Sequence, residues 1–334
     1  MSLEIKTATL EPVRQTFANI ARRFGEKPAS RYQEATYDAQ ATTNFHYRPL
    51  WMPEKQLNDP SHTALTMQDW YALKDPRQFY YGAYVQNRAK MQEAAENNYA
   101  FFEKRGLAQL IDADIQARII FALLPLRHVE QTANLNMMSG SAYGYGTALT
   151  QACLYAAMDR LGMAQYLSRI GLLLDGNSGQ SLAQAKQAWM EHPAWQGVRA
   201  LCEEMLVQKD WGELFVAQNL VADSLVNQVF YQQFDQWLAS NGARDIAMLT
   251  EFMQLCLKDH AAWADNVLKT LAADNEANRT QLAQWLATWQ DKVLTAYQPL
   301  LAELFGESAQ AVTQAVQTDI HKRASKIGLP TTGA

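Results

Sequence analysis

The sequence predicts an all-α protein made of long helices packed side by side, and three observations carry that expectation. Glycine (16) and proline (10) are scarce in a chain of 334 residues, while Ala, Gln, Leu and Met are abundant. That composition favours helix over a turn-dense β architecture. Alternating apolar and polar runs, the mark of half-buried strands, are almost absent. Several helical patterns approach thirty residues, well past the ~11 to 12 residue average, so helices lying alongside one another are expected.

Proline placement divides the chain. Pro12, Pro28, Pro49, Pro53, Pro60 and Pro76 crowd its first quarter, which should therefore lack long regular structure. Residues 24–68 also carry Tyr32, Tyr37, Phe45, Tyr47 and Trp51 among Pro, Asn, Asp and Thr. A disordered tail is poor in aromatics, so this segment reads as an extended arm lying on its own domain or on a partner. The expected division is an arm with short helices over residues 1–70 and a helical domain over 71–330. Within the latter, Asp75-Pro76 offers a cap and a first-turn proline for a helix reaching Arg105-Gly106. A second helix follows Asp112, with Ile115, Ile119, Leu123 and Leu126 near a 3.6-residue period and a kink at Pro125. The next spans Ser141 to Leu174 and closes at Asp175-Gly-Asn-Ser-Gly179. Leu182 to Glu191 and Trp195 to Val207 follow, then a long helix from Glu213 to Ala239. Arg244 to Ala273, Asn278 to Tyr297 and Ser308 to Lys326 complete the chain. Length alone, read at ~150 residues per domain, permits one large or two ordinary domains with an ample core.

Charge and cysteine usage exclude several classes of function. The net charge is −5 and no run of five or more Lys or Arg occurs, so the electrostatic footprint of a nucleic-acid partner is missing. Cys153, Cys202 and Cys256 are widely spaced in apolar surroundings; they read as buried reduced thiols, which points to the cytoplasm. No apolar leader opens the chain and no run nears the ~18 apolar residues of a membrane span, so a soluble protein is expected.

Long helices invite a search for a carboxylate-bridged di-iron centre, which needs Glu-x-x-His on two helices so that both ligands share a face. That motif is absent: His46, His62, His128, His192, His260 and His321 follow Thr43, Asp59, Pro125, Trp189, Leu257 and Thr318 by three positions. Neither a Gly-x-Ser-x-Gly elbow nor a phosphate-binding glycine loop is present. Gly140-Ser-Ala-Tyr-Gly144-Tyr-Gly146 has no strand before it and is read as a place of close helix approach. Trp189, Trp195, Trp211, Trp237, Trp263, Trp285 and Trp289 are read as core or contact residues whose indole N–H groups need partners. Asp210 and Glu213 are read as the start of a helix.

Three ordered strings then give the chain a likeness: Lys74-Asp-Pro-Arg-Gln-Phe-Tyr-Tyr81, His192-Pro-Ala-Trp-Gln-Gly-Val-Arg199, and Asp210-Trp-Gly-Glu-Leu-Phe-Val-Ala217 followed by Asn219-Leu-Val221. With them the sequence resembles, over nearly its whole length, the β subunits of bacterial multicomponent monooxygenases, closest to phenol hydroxylases and then to toluene monooxygenases. The resemblance implies a ferritin-like bundle and a non-catalytic role beside a paralogous α subunit and a small γ subunit in α2β2γ2. It implies a di-iron centre in the α subunit and none here, NADH used through a separate reductase, and a transient regulatory protein. Two other readings stand beside it: a self-sufficient di-iron oxidase with atypical ligands, and a helical scaffold unrelated to oxygenation.

The likeness also places the family's ligand positions. Its Asp-Glu-x-Arg-His string falls on Asp159-Arg160-Leu161-Gly162-Met163, so Glu is replaced by Arg160 and His by Met163. The second pair falls on Leu257 and His260, while Glu130 and Asp223 occupy the isolated-carboxylate positions. A cation at Arg160 would repel iron and is expected to pair with Glu130 or Asp223. Tyr32, Tyr37, Phe45, Tyr47 and Trp51 are expected to lie against the α subunit, within an interface larger than ~2,000 Å2. Deleting residues 1–60 should then leave the helical body folded while weakening assembly.

Overall fold

A computed structural model describes residues 18–41 and 48–330, and among these there is no strand. Two short helices, α1 (Ala18–Phe24) and α2 (Arg31–Thr36), precede the body. The body runs α3 (Tyr81–Lys104), α4 (Ala113–Leu123), α5 (Leu126–Tyr143), α6 (Thr147–Leu174), α7 (Gln180–Glu191) and α8 (Pro193–Leu206). It continues through α9 (Trp211–Phe215), α10 (Asp223–Gln228) and α11 (Phe234–Ser240) to α12 (Ile246–Asp274), α13 (Glu276–Phe305) and α14 (Ala309–Ile327).

Side-chain caps set several of the helix starts. Asp112 accepts from the Asp114 N–H at 2.9 Å to open α4, and Asn275 accepts from the Asn278 N–H at 2.8 Å to open α13. His192 Nδ1 accepts from the Ala194 N–H at 3.2 Å, and Pro193 fills the first turn of α8. Asp210 accepts from the N–H groups of Gly212 and Glu213 to start α9. Each bond satisfies one of the orphan donors of a first helical turn.

Helix α3 begins at Tyr81 rather than beside Pro76. The Asp75 carboxylate is spent in its own turn, where it accepts from the Arg77 N–H at 2.8 Å and from the Arg77 guanidinium, and Gln78 at φ 52° interrupts the helical path. Between Tyr143 and Thr147 the chain turns through Gly144 and Gly146, the latter at φ 87°, so the single helix expected from Ser141 divides there and α5 and α6 form an antiparallel hairpin. A Cβ on Gly140 would stand 3.1 Å from the Cys153 sulfur across that hairpin, which makes this glycine run a packing feature. Helix α13 passes through Pro299 and ends at Phe305, well past the expected stop at Tyr297.

Segments α9, α10 and α11 form one rod, interrupted by π-helical turns at Val216–Ala222 and Val229–Gln233. The first of these turns is buried on every side, which places the rod at the centre of the core. Arg323 of α14 donates to the carbonyls of Asn219 at 3.0 Å and Leu220 at 3.3 Å in that turn, and is itself held by Asp265 of α12 at 2.7 Å. Trp195, Trp211, Trp263 and Trp289 are fully buried around the rod. The Trp289 indole donates to Glu213 at 2.9 Å and that of Trp195 to the Phe121 carbonyl at 3.3 Å, whereas the N–H groups of Trp211 and Trp263 meet no protein acceptor. Cys153, Cys202 and Cys256 are buried and unpaired.

The N-terminal segment departs from an extended form in part. Ile20, Tyr32 and Tyr37 pack with Tyr71 and Ala148 into a small cluster against the body. Tyr32 accepts from the Asp75 N–H at 2.8 Å, and the Arg23 guanidinium lies over the rings of Tyr37 and Tyr71. Among the described residues no helix is long and apolar enough to cross a membrane.

Candidate functional site

Four helices bring the six residues that the resemblance assigns to ligand positions into the interior: Glu130 from α5, Arg160 and Met163 from α6, Asp223 from α10, and Leu257 and His260 from α12. All six are buried, Met163 and Leu257 as ordinary members of the apolar core. The polar ones form two adjoining networks rather than one constellation.

Arg160 is the hinge of the first. One terminal nitrogen donates to Glu130 Oε2 at 3.1 Å and the other to Asp223 Oδ2. Gln218 Nε2 donates to the remaining Asp223 oxygen at 2.8 Å, and Asn136 Nδ2 to Gln218 Oε1 at 2.9 Å. The second network is centred on Asp159. Its Oδ1 accepts from the Tyr84 hydroxyl at 2.9 Å and Arg88 Nε at 2.8 Å, and its Oδ2 from Arg88 Nη2 at 2.7 Å. His260 Nε2 lies 2.9 Å from the same Oδ2, and Arg88 reaches on to Asp259 at 2.8 Å. His260 therefore belongs to the Asp159 network and not to the carboxylates around Arg160.

The electrostatics follow from burial and these partners. Burial pushes the Glu130 carboxyl up to about 7, against the pull of Arg160. Burial opposes the charge on Arg160, but Asp223 and Glu130 more than offset it and raise its pKa above the ordinary arginine value. Burial likewise opposes charge on Asp159, yet the hydrogen bonds with His260 and Arg88 hold it well below the usual carboxylate range. Burial keeps His260 below the ordinary histidine value.

This donor set does not fit a di-iron centre. A guanidinium has no lone pair to offer a metal, and here it stands between the two carboxylates that would have to bridge iron. Among the described residues no group of three His, Cys, Asp or Glu side chains is placed to hold one metal ion. A surface cavity of about 320 Å3 touches Tyr84, Arg88 and Asp159, so solvent approaches the second network from the α3–α6 side.

Tyr84, Arg88, Gln218 and Asn136 were not singled out by sequence reasoning. Tyr84 and Arg88 share a face at i and i+4, a weak signal without knowledge of what lies opposite. The arm residues separate in a way the sequence does not indicate. Tyr32 and Tyr37, expected against another subunit, are buried within this chain because Tyr71 and the start of α6 offer them an apolar bed. Trp51 is 79% exposed, while Phe45 and Tyr47 lie outside the described residues.

Comparison with known proteins is consistent along the whole chain. The family model described as methane/phenol/alkene hydroxylase matches residues 51–275. The phenol 2-monooxygenase oxygenase component MhpL of Acinetobacter pittii is 62% identical and aligned over 100% of both chains. The oxygenase component DmpL of Pseudomonas sp. strain CF600 is 52% identical over 98% of each. A crystal structure of phenol hydroxylase from Pseudomonas sp. OX1 superposes with a TM-score of 0.92 at 45% identity, covering 99% of this chain and 100% of that one. On the match over residues 51–275 and these full-length likenesses, the chain belongs to the methane/phenol/alkene hydroxylase family.

Proposed function

We propose that this chain is the non-catalytic β subunit of a phenol hydroxylase, accompanying an iron-bearing α subunit and a small γ subunit in α2β2γ2. The observation that carries the reading is Arg160, whose guanidinium lies between Glu130 and Asp223 where a metal would need those carboxylates free. The oxygen chemistry then belongs to the α subunit, with electrons from NADH delivered by a separate reductase and a regulatory protein joining transiently. The names of the relatives at 62% and 52% identity support phenol as the substrate class of the assembly. In this chain the two networks tie α3, α5, α6, α10 and α12 together, so their role is to hold a ferritin-like body in the shape its partner needs. A self-sufficient oxidase is disfavoured by the same guanidinium, and an unrelated scaffold by the relatives.

The test is metal analysis combined with co-purification. Purified alone, the chain should carry no stoichiometric iron; isolated with the other subunits, it should come down with a larger iron-bearing chain. Iron bound one or two per chain in the isolated protein would defeat the proposal, as would failure to associate with any iron-bearing subunit of its host.

A further inference from the structure

The turn between α11 and α12 holds the one Asn-Gly pair of the chain, Asn241-Gly242. Both residues are exposed, and a Cβ built on Gly242 would meet nothing within 4 Å. Asn241 closes the central rod: its Nδ2 donates to the Trp237 carbonyl at 2.7 Å and its N–H to the Leu238 carbonyl at 3.1 Å. The next link is not held. Among the described residues neither the Gly242 N–H nor the Asn241 carbonyl has a backbone hydrogen-bond partner, so the peptide unit between them turns without breaking a bond of the backbone. Ala243 fixes the chain again, donating to the Leu238 carbonyl at 2.9 Å and accepting from the Ile246 N–H at 3.1 Å.

A side-chain amide next to a free backbone nitrogen sets an electrophile beside a nucleophile. With no Cβ on Gly242 to obstruct the approach, that nitrogen reaches Asn241 Cγ once the peptide unit has turned. A second exposed turn shows what prevents the same reaction. In Asp175-Gly-Asn-Ser-Gly179, after α6, the Ser178 nitrogen that would attack Asn177 is engaged, its N–H donated to Asp175 Oδ1 at 3.1 Å. The Asp175 carboxylate, which precedes Gly176, is held in turn by the Ser181 N–H at 2.9 Å and the Ser181 hydroxyl at 2.8 Å. Both pairs in that turn are locked by hydrogen bonds, whereas the Asn241–Gly242 link is open.

We propose that Asn241 is a self-modification site, at which the chain converts its own side-chain amide through a cyclic imide to aspartate and isoaspartate, with water as the only reagent. The Gly242 nitrogen bonds to Asn241 Cγ and loses its proton, the Cγ–Nδ2 bond breaks, and the amide nitrogen leaves with that proton as ammonia. One water then opens the five-membered imide. Opening at the side-chain carbonyl leaves aspartate; opening at the backbone carbonyl leaves isoaspartate, with the main chain routed through the side chain. Nothing is oxidised or reduced. Either product places a new negative charge at the C-terminal end of the rod, where the helix dipole disfavours it, and sets a carboxylate against the Trp237 carbonyl where Nδ2 had donated. Isoaspartate also adds a methylene to the main chain just before Ala243, which is 1% exposed and joins α11 to α12. The reaction loosens that joint as the protein ages, whatever subunit role the chain plays.

The test incubates the full folded chain in mildly alkaline buffer and follows three signals: peptide masses after digestion, isoaspartate by enzymatic methyl transfer, and ammonia released. A gain of one mass unit should appear first in the peptide that holds Asn241, together with isoaspartate and an equal amount of ammonia. Asn241→Gln should reduce the early ammonia release at least tenfold, and Asn177→Gln should leave it unchanged. The variant Asn241→Asp, which carries one of the two products from the outset, should melt about 1–2 °C below wild type and exchange the Ala243 amide hydrogen faster. An Asn241 that stays intact in the folded chain while the same peptide converts after digestion would overturn the proposal, and so would earlier conversion at Asn177 or Asp175. Wild-type melting and exchange in Asn241→Asp and in the aged chain would overturn the loosening of the α11–α12 joint.

Discussion

Arg160 sets two carboxylates and a guanidinium in an interior where each alone would be costly. Removing one member of a buried ion pair costs about 3–5 kcal/mol, because the remaining charge stays buried and uncompensated. Arg160→Met should therefore lower the stability of the isolated chain by about that amount, and adding Glu130→Gln and Asp223→Asn should restore a large part. Denaturant unfolding of the single, double and triple variants measures this; a loss below about 1 kcal/mol for Arg160→Met would show that the pair carries little. His128 gives a pH-dependent counterpart. Burial, aided by Arg127 and Lys186, lowers its pKa from 6.5 to about 4 while its ring stacks on Trp189. Between those values the unfolded chain binds a proton the folded one does not, so its contribution to stability is lost as pH falls from 6.5 towards 4. His128→Phe should lose less melting temperature between pH 7 and pH 5 than wild type, and identical losses would clear His128 of the effect. At this scale the sequence placed Glu130, Arg160, Asp223 and His260 by family register, and Arg160 does meet both carboxylates. It did not separate His260 into the Asp159 network, because the partners that decide this, Tyr84 and Arg88, come from α3 more than seventy residues away in the chain.

Helices meet where small residues allow them to. Gly197 lies where α8 crosses α13, and a Cβ there would stand 2.5 Å from the Ala296 carbonyl oxygen, a backbone atom that cannot swing aside. Gly162 on α6 differs, since its Cβ would meet only the Phe252 ring at 3.7 Å, an ordinary contact. Gly197→Ala should therefore cost about 1–3 kcal/mol or more by forcing the two helices apart. Gly162→Ala should be neutral or stabilising, since alanine is the better helix former. Thermal melts of the two variants decide the matter, and equal melting temperatures would mean that the α8–α13 crossing relaxes freely. The same locality explains what was legible in the elements. Caps such as Asp112 and Asp210 act over two or three residues, so the sequence located those starts. The start of α3 was misplaced because Asp75 is engaged by Arg77 and by Tyr32, a residue from the other side of the arm. The end of α13 was misplaced because its buried face carries the helix through Pro299, overriding the lost N–H. The first π-helical turn in the central rod has no local signal, since its Asn219 and Leu220 carbonyls accept from Arg323 at the far end of the chain.

Across the whole molecule the N-terminal segment that the sequence reads as one arm divides into a packed part, with Tyr32 and Tyr37, and an exposed part, with Trp51. Tyr32 and Tyr37 carry the amphipathic bulk expected of an interface, yet Tyr71, Ala148 and the Arg23 guanidinium supply that interface inside the chain. The segment is stitched further by Gln40, whose side-chain oxygen accepts from the Gly146 N–H at 2.5 Å, and by Thr36, whose hydroxyl accepts from Gln151 at 3.1 Å. Both contacts land at the α5–α6 turn and the first turns of α6, which carries Asp159 and Arg160 further along. Deleting residues 1–41 should thus lower the melting temperature of the isolated body, contrary to an arm that merely wraps a partner, because each buried tyrosine is worth ~1.5–3 kcal/mol. A fall of at least about 5 °C is expected. Trp51, exposed on the same segment, should behave in the opposite way. Trp51→Ala should leave the melting temperature of the isolated chain within about 1 °C, as surface substitutions do, while weakening association with the larger subunit. A truncated chain that melts with wild type would return Tyr32 and Tyr37 to the interface, and a Trp51→Ala chain that assembles as tightly as wild type would remove Trp51 from it.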